Sequence, residues 1–242
     1  MRHWQAFLCA LQFLTLIPVR LSGLPEPATQ ARALLYYPLV GLLLGLMLAG
    51  VAWMGQALPV SVQATLVLLL WCGVTGGLHL DGLADSADGW MGGLGNRART
   101  LEIMKDSHIG ATGALVLMLQ LLLKWSLLQG LLSASIYGPV LLAPVVGRMA
   151  AQGLLLTTPY ARAQGVARTL EQAPGGPVWL PMVLLIAALL VLHPLLVLLP
   201  LACFWWLRRV MLARLHGYTG DTAGALIELM EVAVLAAGLS LL

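Results

Sequence analysis

Charge is what this sequence has least of. Aspartate, glutamate, lysine and arginine make up 10% of its 242 residues, where a soluble domain carries about 25%. So little charge cannot cover a water-facing surface, and that excludes a soluble globular protein. Cysteine is scarce as well. Cys9, Cys72 and Cys203 lie far apart with no CxxC spacing, so neither a disulfide framework nor a thiolate zinc site is indicated. No basic run is interleaved with aromatics, and the net charge of +3 therefore does not mark a nucleic-acid surface. An internal repeat or an inverted pair of broken helices is also missing, which argues against a secondary transporter.

What is abundant is apolar sequence. Hydrophobic residues occupy 60% of the chain and the mean hydropathy is +0.91, so lipid must cover much of the surface. A spanning helix needs roughly 20 mostly apolar residues. Segments near 34–56, 61–78, 110–132, 139–157, 178–207 and 222–242 qualify. The fifth is too long for one span and carries His193-Pro194 at its middle, where proline breaks a helix; it reads as a tight helical hairpin or one kinked, tilted helix. Trp4 to Pro18 is too short to span and has no small-x-small cleavage site after it, so residues 1–20 read as an interfacial or re-entrant helix. The expected fold is all-α, a polytopic integral membrane bundle of about 6–8 helices, with residues 1–242 as one domain.

Orientation follows from the positive-inside rule. With the N-terminus in the cytoplasm and the first segment not crossing, Arg20, Arg32, Arg97, Arg99, Lys105, Arg162, Arg168, Arg208, Arg209 and Arg214 all fall inside. The loops at 56–60 and 133–138, outside, carry no charge. The same bookkeeping places most loop carboxylates on the cytoplasmic face.

One stretch concentrates them. From Thr75 to Gly93 the sequence reads TGGLHLDGLADSADGWMGG. Asp81, Asp85 and Asp88 are spaced i, i+4, i+7, one face of a helix. Three stacked carboxylates repel unless a cation joins them, and oxygen-only ligands favour Mg2+, with Mn2+ as an alternative, over zinc. The flanking glycines are read as letting backbone approach a ligand. His79 is the one nearby nitrogen, read as a proton-handling or hydrogen-bonding residue. The plainer alternative is a solvated helix face. A second cluster, LEIMKDSHIG from Leu101 to Gly110, adds Glu102, Lys105 and Asp106, with Arg97 and Arg99 upstream. Carboxylates for metal and cations for phosphate oxygens are the parts of phosphoryl transfer, although alone this cluster also reads as an ordinary helix end. Lys124, Arg148, Glu228 and Glu231 fall inside spans, where ionisable groups are functional candidates unless they simply pair with one another.

These blocks resemble the cobalamin synthase, or adenosylcobinamide-GDP ribazoletransferase, family. The blocks at 75–93 and 101–113 carry the resemblance, supported by FLTLIPV at 13–19, YPLVG at 37–41, PYAR at 159–162 and TGDTAGALIELME at 219–231. They run in order along essentially the whole chain. Ser86 and His108 stand where threonine and arginine are common in the family. The resemblance implies an enzyme of the bacterial cytoplasmic membrane, dependent on Mg2+. It would join adenosylcobinamide-GDP to α-ribazole, or its 5′-phosphate, releasing GMP in the last nucleotide-loop step of coenzyme B12 synthesis. The residues themselves supply the expected roles: Asp81, Asp85, Asp88, Glu102 and Asp106 hold metal, and Asp88, Asp106, Lys105 and His79 take part in catalysis. Arg97, Arg99, Lys105, Arg162 and Asp221 serve the substrate phosphates. Expected partners are the two substrates and the bilayer, with no nucleic acid; a homo-oligomer or other B12-synthesis enzymes are left open.

Two other functions use similar parts. CDP-alcohol phosphatidyltransferases also carry an acidic Asp-Gly motif at a membrane face, but theirs continues into an Ala-Arg pair, whereas Ala84 here precedes Asp85. A transporter would concentrate its charge at mid-membrane rather than in loops.

Overall fold

Apolar segments can satisfy their backbone in lipid only as helices or closed barrels, and this chain takes the helical route. The computed structural model describes residues 2–21, 23, 25–162 and 193–242. Among them the helices run α1 (Arg2–Leu14), α2 (Pro27–Ala33), α3 (Tyr37–Met54), α4 (Val60–Thr75), α5 (Leu78–Gly92), α6 (Arg97–Ile103), α7 (Ala111–Ser133), α8 (Gly138–Thr157), α9 (Leu195–Leu215) and α10 (Gly220–Gly238). The one β-type contact there is an isolated bridge between Tyr160 and Tyr218.

Five stretches in the described residues are long and apolar enough to cross a membrane: Pro27–Met54, α7, α8, α9 and Gly220–Leu241. The chain is a multi-pass membrane protein. Helices α4 and α5 reach that length only together, and they are bent by 84°. We read α4 as entering the apolar layer and α5, with its three aspartates, as lying along the aqueous face outside the spans. Helix α1 has 13 residues, about 20 Å of rise, which is too short for a 30 Å core; it packs on α2 and α3. The long fifth segment lies partly outside the described residues, and so does its proposed hairpin. What is described there is α9, with Pro194 at its N-cap and the helix continuing to Leu215. Arg208, Arg209 and Arg214 thus sit within its C-terminal turns rather than in a following loop.

Helices α8 and α10 form the interior, α8 packing on α3 and α10 on α5, α8 and α9. In lipid, close packing rather than water exclusion holds helices together, and small residues permit it. A Cβ at Gly41 would stand 2.6 Å from the Pro144 carbonyl oxygen, and one at Gly45 would collide with the Leu141 carbonyl. One buried cluster, with Leu14, Leu34, Tyr37, Leu154 and Met211, lies toward the polar end. A second, with Leu48, Trp71, Leu128, Leu131 and Val234, fills the other.

The polar chain ends meet at one end of the bundle. Arg97 donates from Nε to the Leu215 carbonyl at 2.8 Å and from Nη2 to the Ala161 carbonyl at 2.8 Å. Arg208 donates to the Thr157 carbonyl at 2.6 Å and the Thr158 hydroxyl at 3.0 Å. Cations at helix C-termini meet the unpaired carbonyls there. The opposite turns, 55–59 and 134–137, contain no charged residue.

Candidate active site

The acidic stretch owes its direction to two glycines. Gly76 and Gly77 have φ of +63° and +68°, a region that side chains make costly. Gly76 caps α4, and a Cβ on it would lie 2.5 Å from the Leu16 side chain. The backbone N–H of Leu16 also donates to the Val74 carbonyl at 2.7 Å. Together these contacts turn the chain sharply into α5. Further along, a Cβ at Gly82 would stand 2.6 Å from the Asp221 carbonyl oxygen, and one at Gly224 would stand 3.3 Å from the His79 Cα. Gly82 and Gly224 make room for protein: α5 crosses α10 closely enough to bring Asp221 beside the aspartates of α5.

The three aspartates do not share one role. Asp88 caps a helix in space. The backbone N–H of Gly110 donates to its Oδ2 at 2.7 Å and that of Gly113 to its Oδ1 at 2.8 Å, filling two of the unpaired donors at the start of α7. A side chain at either glycine would collide with the carboxylate. Asp81 is exposed and Asp85 half-buried. Burial, reinforced by the negative charges of Asp81, Asp221 and Asp88, pushes the Asp85 carboxyl up to about 6, with Arg162 acting against the rise. Arg162 Nη2 donates to Asp221 Oδ2 at 2.6 Å, and the Thr219 hydroxyl lies 3.3 Å from the same oxygen. Asp221, assigned to phosphate in the sequence, therefore joins the anionic group, and Arg162 faces it.

The remaining candidates are dispersed. Glu102 pairs with Arg99 at 2.9 Å on the surface. Asp106 accepts from the His108 backbone N–H at 3.0 Å and lies 2.7 Å from its ring Nδ1, contacts that hold its carboxyl below the usual range. Neither carboxylate is among the charges acting on Asp85, so the five-carboxylate set splits. Arg97 is engaged with two carbonyls, and Lys105 is exposed. Among the described residues, no three His, Cys, Asp or Glu side chains converge as a ready metal cage. The donor chemistry still suits a hard divalent cation: Asp81, Asp85, Asp88 and Asp221 are all oxygen donors, and their mutual repulsion already shows in Asp85.

The intramembrane charges pair with one another. Lys124 Nζ donates to Glu228 Oε2 at 2.9 Å and to Glu231 Oε2 at 2.6 Å, and it lies 4.1 Å from the centre of the Trp71 ring. Arg148 Nη1 donates to Glu231 Oε1. All four are buried, which favours the pairing interpretation over direct substrate contact. His79 is buried too, with Nε2 lacking a hydrogen-bond partner among the described residues.

Beside Asp81 and Asp221 opens a cavity of about 470 Å³ between α1, α2, α5 and α10. Sequence reasoning missed several of its walls, among them Gln12, Phe13, Gln30 and Tyr37. A signal was available: Cys9, Gln12 and Phe13 recur at i, i+3, i+4, one face of α1.

Comparison with known proteins adds an independent line. The family model described as cobalamin-5-phosphate synthase matches residues 6–239. The adenosylcobinamide-GDP ribazoletransferase of Pseudomonas savastanoi pv. phaseolicola is 47% identical over 234 residues, covering 95% of this chain and 96% of the relative. Those of Pseudomonas putida strain GB-1 and Pseudomonas paraeruginosa are each 50% identical, over 232 and 242 residues. They cover 94% and 96% of this chain, and 95% and 97% of the relatives. No solved structure matches the chain.

Proposed function

The chain belongs to the cobalamin-5-phosphate synthase family, and from that membership we infer that it catalyses the adenosylcobinamide-GDP ribazoletransferase reaction at the acidic rim between α5 and α10. The observation that carries the location is the crowding of Asp81, Asp88 and Asp221 around Asp85 beside a cavity. In this reaction an oxygen of the ribazole ribose attacks the phosphorus that bears the cobinamide. The bond from that phosphorus to the GMP oxygen breaks, and GMP leaves with the electron pair. The attacking hydroxyl loses its proton to a rim carboxylate. Asp81 suits that role, being exposed and lining the cavity.

Asp85 and Asp221 would hold a divalent cation, Mg2+ or Mn2+, with Asp88 fixing the start of α7 beside them. Bound there, it supplies positive charge against a diphosphate and the departing phosphate oxygens. The chain's own cations complete the arrangement. Lys105 and Arg99 are exposed on and just after α6 and offer donors to phosphate oxygens from outside the rim. Arg162 screens Asp221 at 2.6 Å, which keeps the rim from repelling an anionic substrate outright. The rim faces the cytoplasm of the bacterial inner membrane, because the arginine-bearing loops share its end of the bundle.

The test is GMP release by the purified chain in detergent with both substrates, with and without Mg2+. Release only with metal, and its loss in Asp81→Asn and Asp85→Asn, is the expected result. Metal-independent release, or full activity in those variants, defeats the rim mechanism. No GMP release under any condition defeats the assigned reaction.

A further inference from the structure

We propose that the cavity beneath the acidic rim is the subsite for the flat azole base of the ribazole nucleoside, and that the corrinoid nucleotide stays outside it. The proposal rests on the reaction assigned above and divides its two substrates between two places.

Size is the first argument. A cavity of about 470 Å³ suits a ligand of roughly 20 non-hydrogen atoms, the size of a benzimidazole nucleoside. A corrin macrocycle with its attached nucleotide is several times larger and cannot enter. Wall chemistry is the second. Phe13, Leu14, Leu155 and Ile227 give apolar surface, and Phe13, half exposed and stacked on Tyr37 at 6.1 Å with 20° between their planes, adds an aromatic one. Guanine needs partners for its amide, amine and ring nitrogens, whereas most of this lining is apolar. An alkylated azole has two apolar faces and, once glycosylated, a single ring nitrogen still able to accept. His79 belongs to the same wall, with its Nε2 buried away from the open space. Position is the third argument. Asp81 and Asp221 line the same cavity, so a base held against α1 and α10 sets its ribose hydroxyl among the carboxylates.

Helix α1 thereby gains a function beyond lying on the membrane, because Cys9, Gln12, Phe13 and Leu14 form one wall. Cys9 is half-buried and free, and the other cysteines, Cys72 and Cys203, are not lining residues. It is therefore a built-in reporter.

The experiment follows alkylation of the three cysteines by N-ethylmaleimide in the full chain, in detergent and without metal, by peptide mass spectrometry. α-Ribazole alone, adenosylcobinamide-GDP alone and phospholipid alone are the three additions. Ribazole at ten times its Kd is expected to slow Cys9 about tenfold and to leave Cys72 and Cys203 unchanged. Ala151→Leu, which fills the cavity, is expected to raise the KM for ribazole about tenfold without moving that for adenosylcobinamide-GDP. Protection of Cys9 by the corrinoid nucleotide but not ribazole overturns the proposal, and so does protection by phospholipid alone, which marks a lipid-tail cavity. If GMP release persists in the same preparation, either outcome removes the subsite and leaves the reaction standing.

Discussion

At the scale of single residues, the rim is a crowd of like charges, for which a divalent cation is the proposed partner. Asp85 has a carboxyl pushed up to about 6 by burial and by Asp81, Asp221 and Asp88, against an ordinary value near 3.9. The folded state therefore prefers the protonated form. This contribution to stability is greatest below the ordinary value and is lost as pH rises toward 6 and beyond. A divalent cation held as proposed would reverse the preference. Thermal unfolding in detergent without metal is expected to show stability falling between about pH 4 and 6, with Mg2+ raising the midpoint at pH 7.5 and not at pH 5. A metal effect equal at both values would separate Asp85 from the cation. The buried charges make a different demand. Lys124 serves two carboxylates, and Lys124→Met leaves Glu228 with the Gln120 amide alone. That should cost about 3 kcal/mol, read as a lowered unfolding midpoint that Lys124→Met/Glu228→Gln partly restores. A wild-type midpoint for Lys124→Met would show the cluster to be energetically idle.

At the scale of elements, the decisive feature is the break between α4 and α5. Two consecutive left-handed residues make it, and their surroundings differ. A methyl group at Gly76 meets Leu16, while one at Gly77 meets nothing within 4 Å. Gly77→Ala is expected to cost only the backbone strain, about 1–2 kcal/mol, and Gly76→Ala clearly more. Leu16→Ala should relieve Gly76→Ala and not Gly77→Ala. Unfolding midpoints of the single and double variants give the comparison, and equal effects at the two glycines would mean that Leu16 does not brace the turn. The same elements show the limit of pattern reading. The i, i+4, i+7 spacing correctly puts Asp81, Asp85 and Asp88 on one helix. It cannot tell that α7 begins opposite Asp88 and takes that carboxylate as its cap.

At the scale of the whole molecule, the bundle segregates its chemistry to one end. Single-cysteine labelling on whole cells and inverted vesicles should place Gly95→Cys on the cytoplasmic side and Gln56→Cys on the opposite side; labelling of both from one side would remove the proposed topology. The sequence by itself determined the membrane class, the helical architecture, the family and the acidic stretch, since low charge, apolar run length and a dense motif are local properties of the chain, the first two constrained directly by lipid. Tertiary structure alone decided which charges keep company. Asp221 joined the rim through the Gly82–Gly224 crossing, Glu102 and Asp106 turned to surface partners, and α1 closed a cavity. Those outcomes depend on how distant helices approach one another, and spacing along one helix carries no information about the neighbour it will meet.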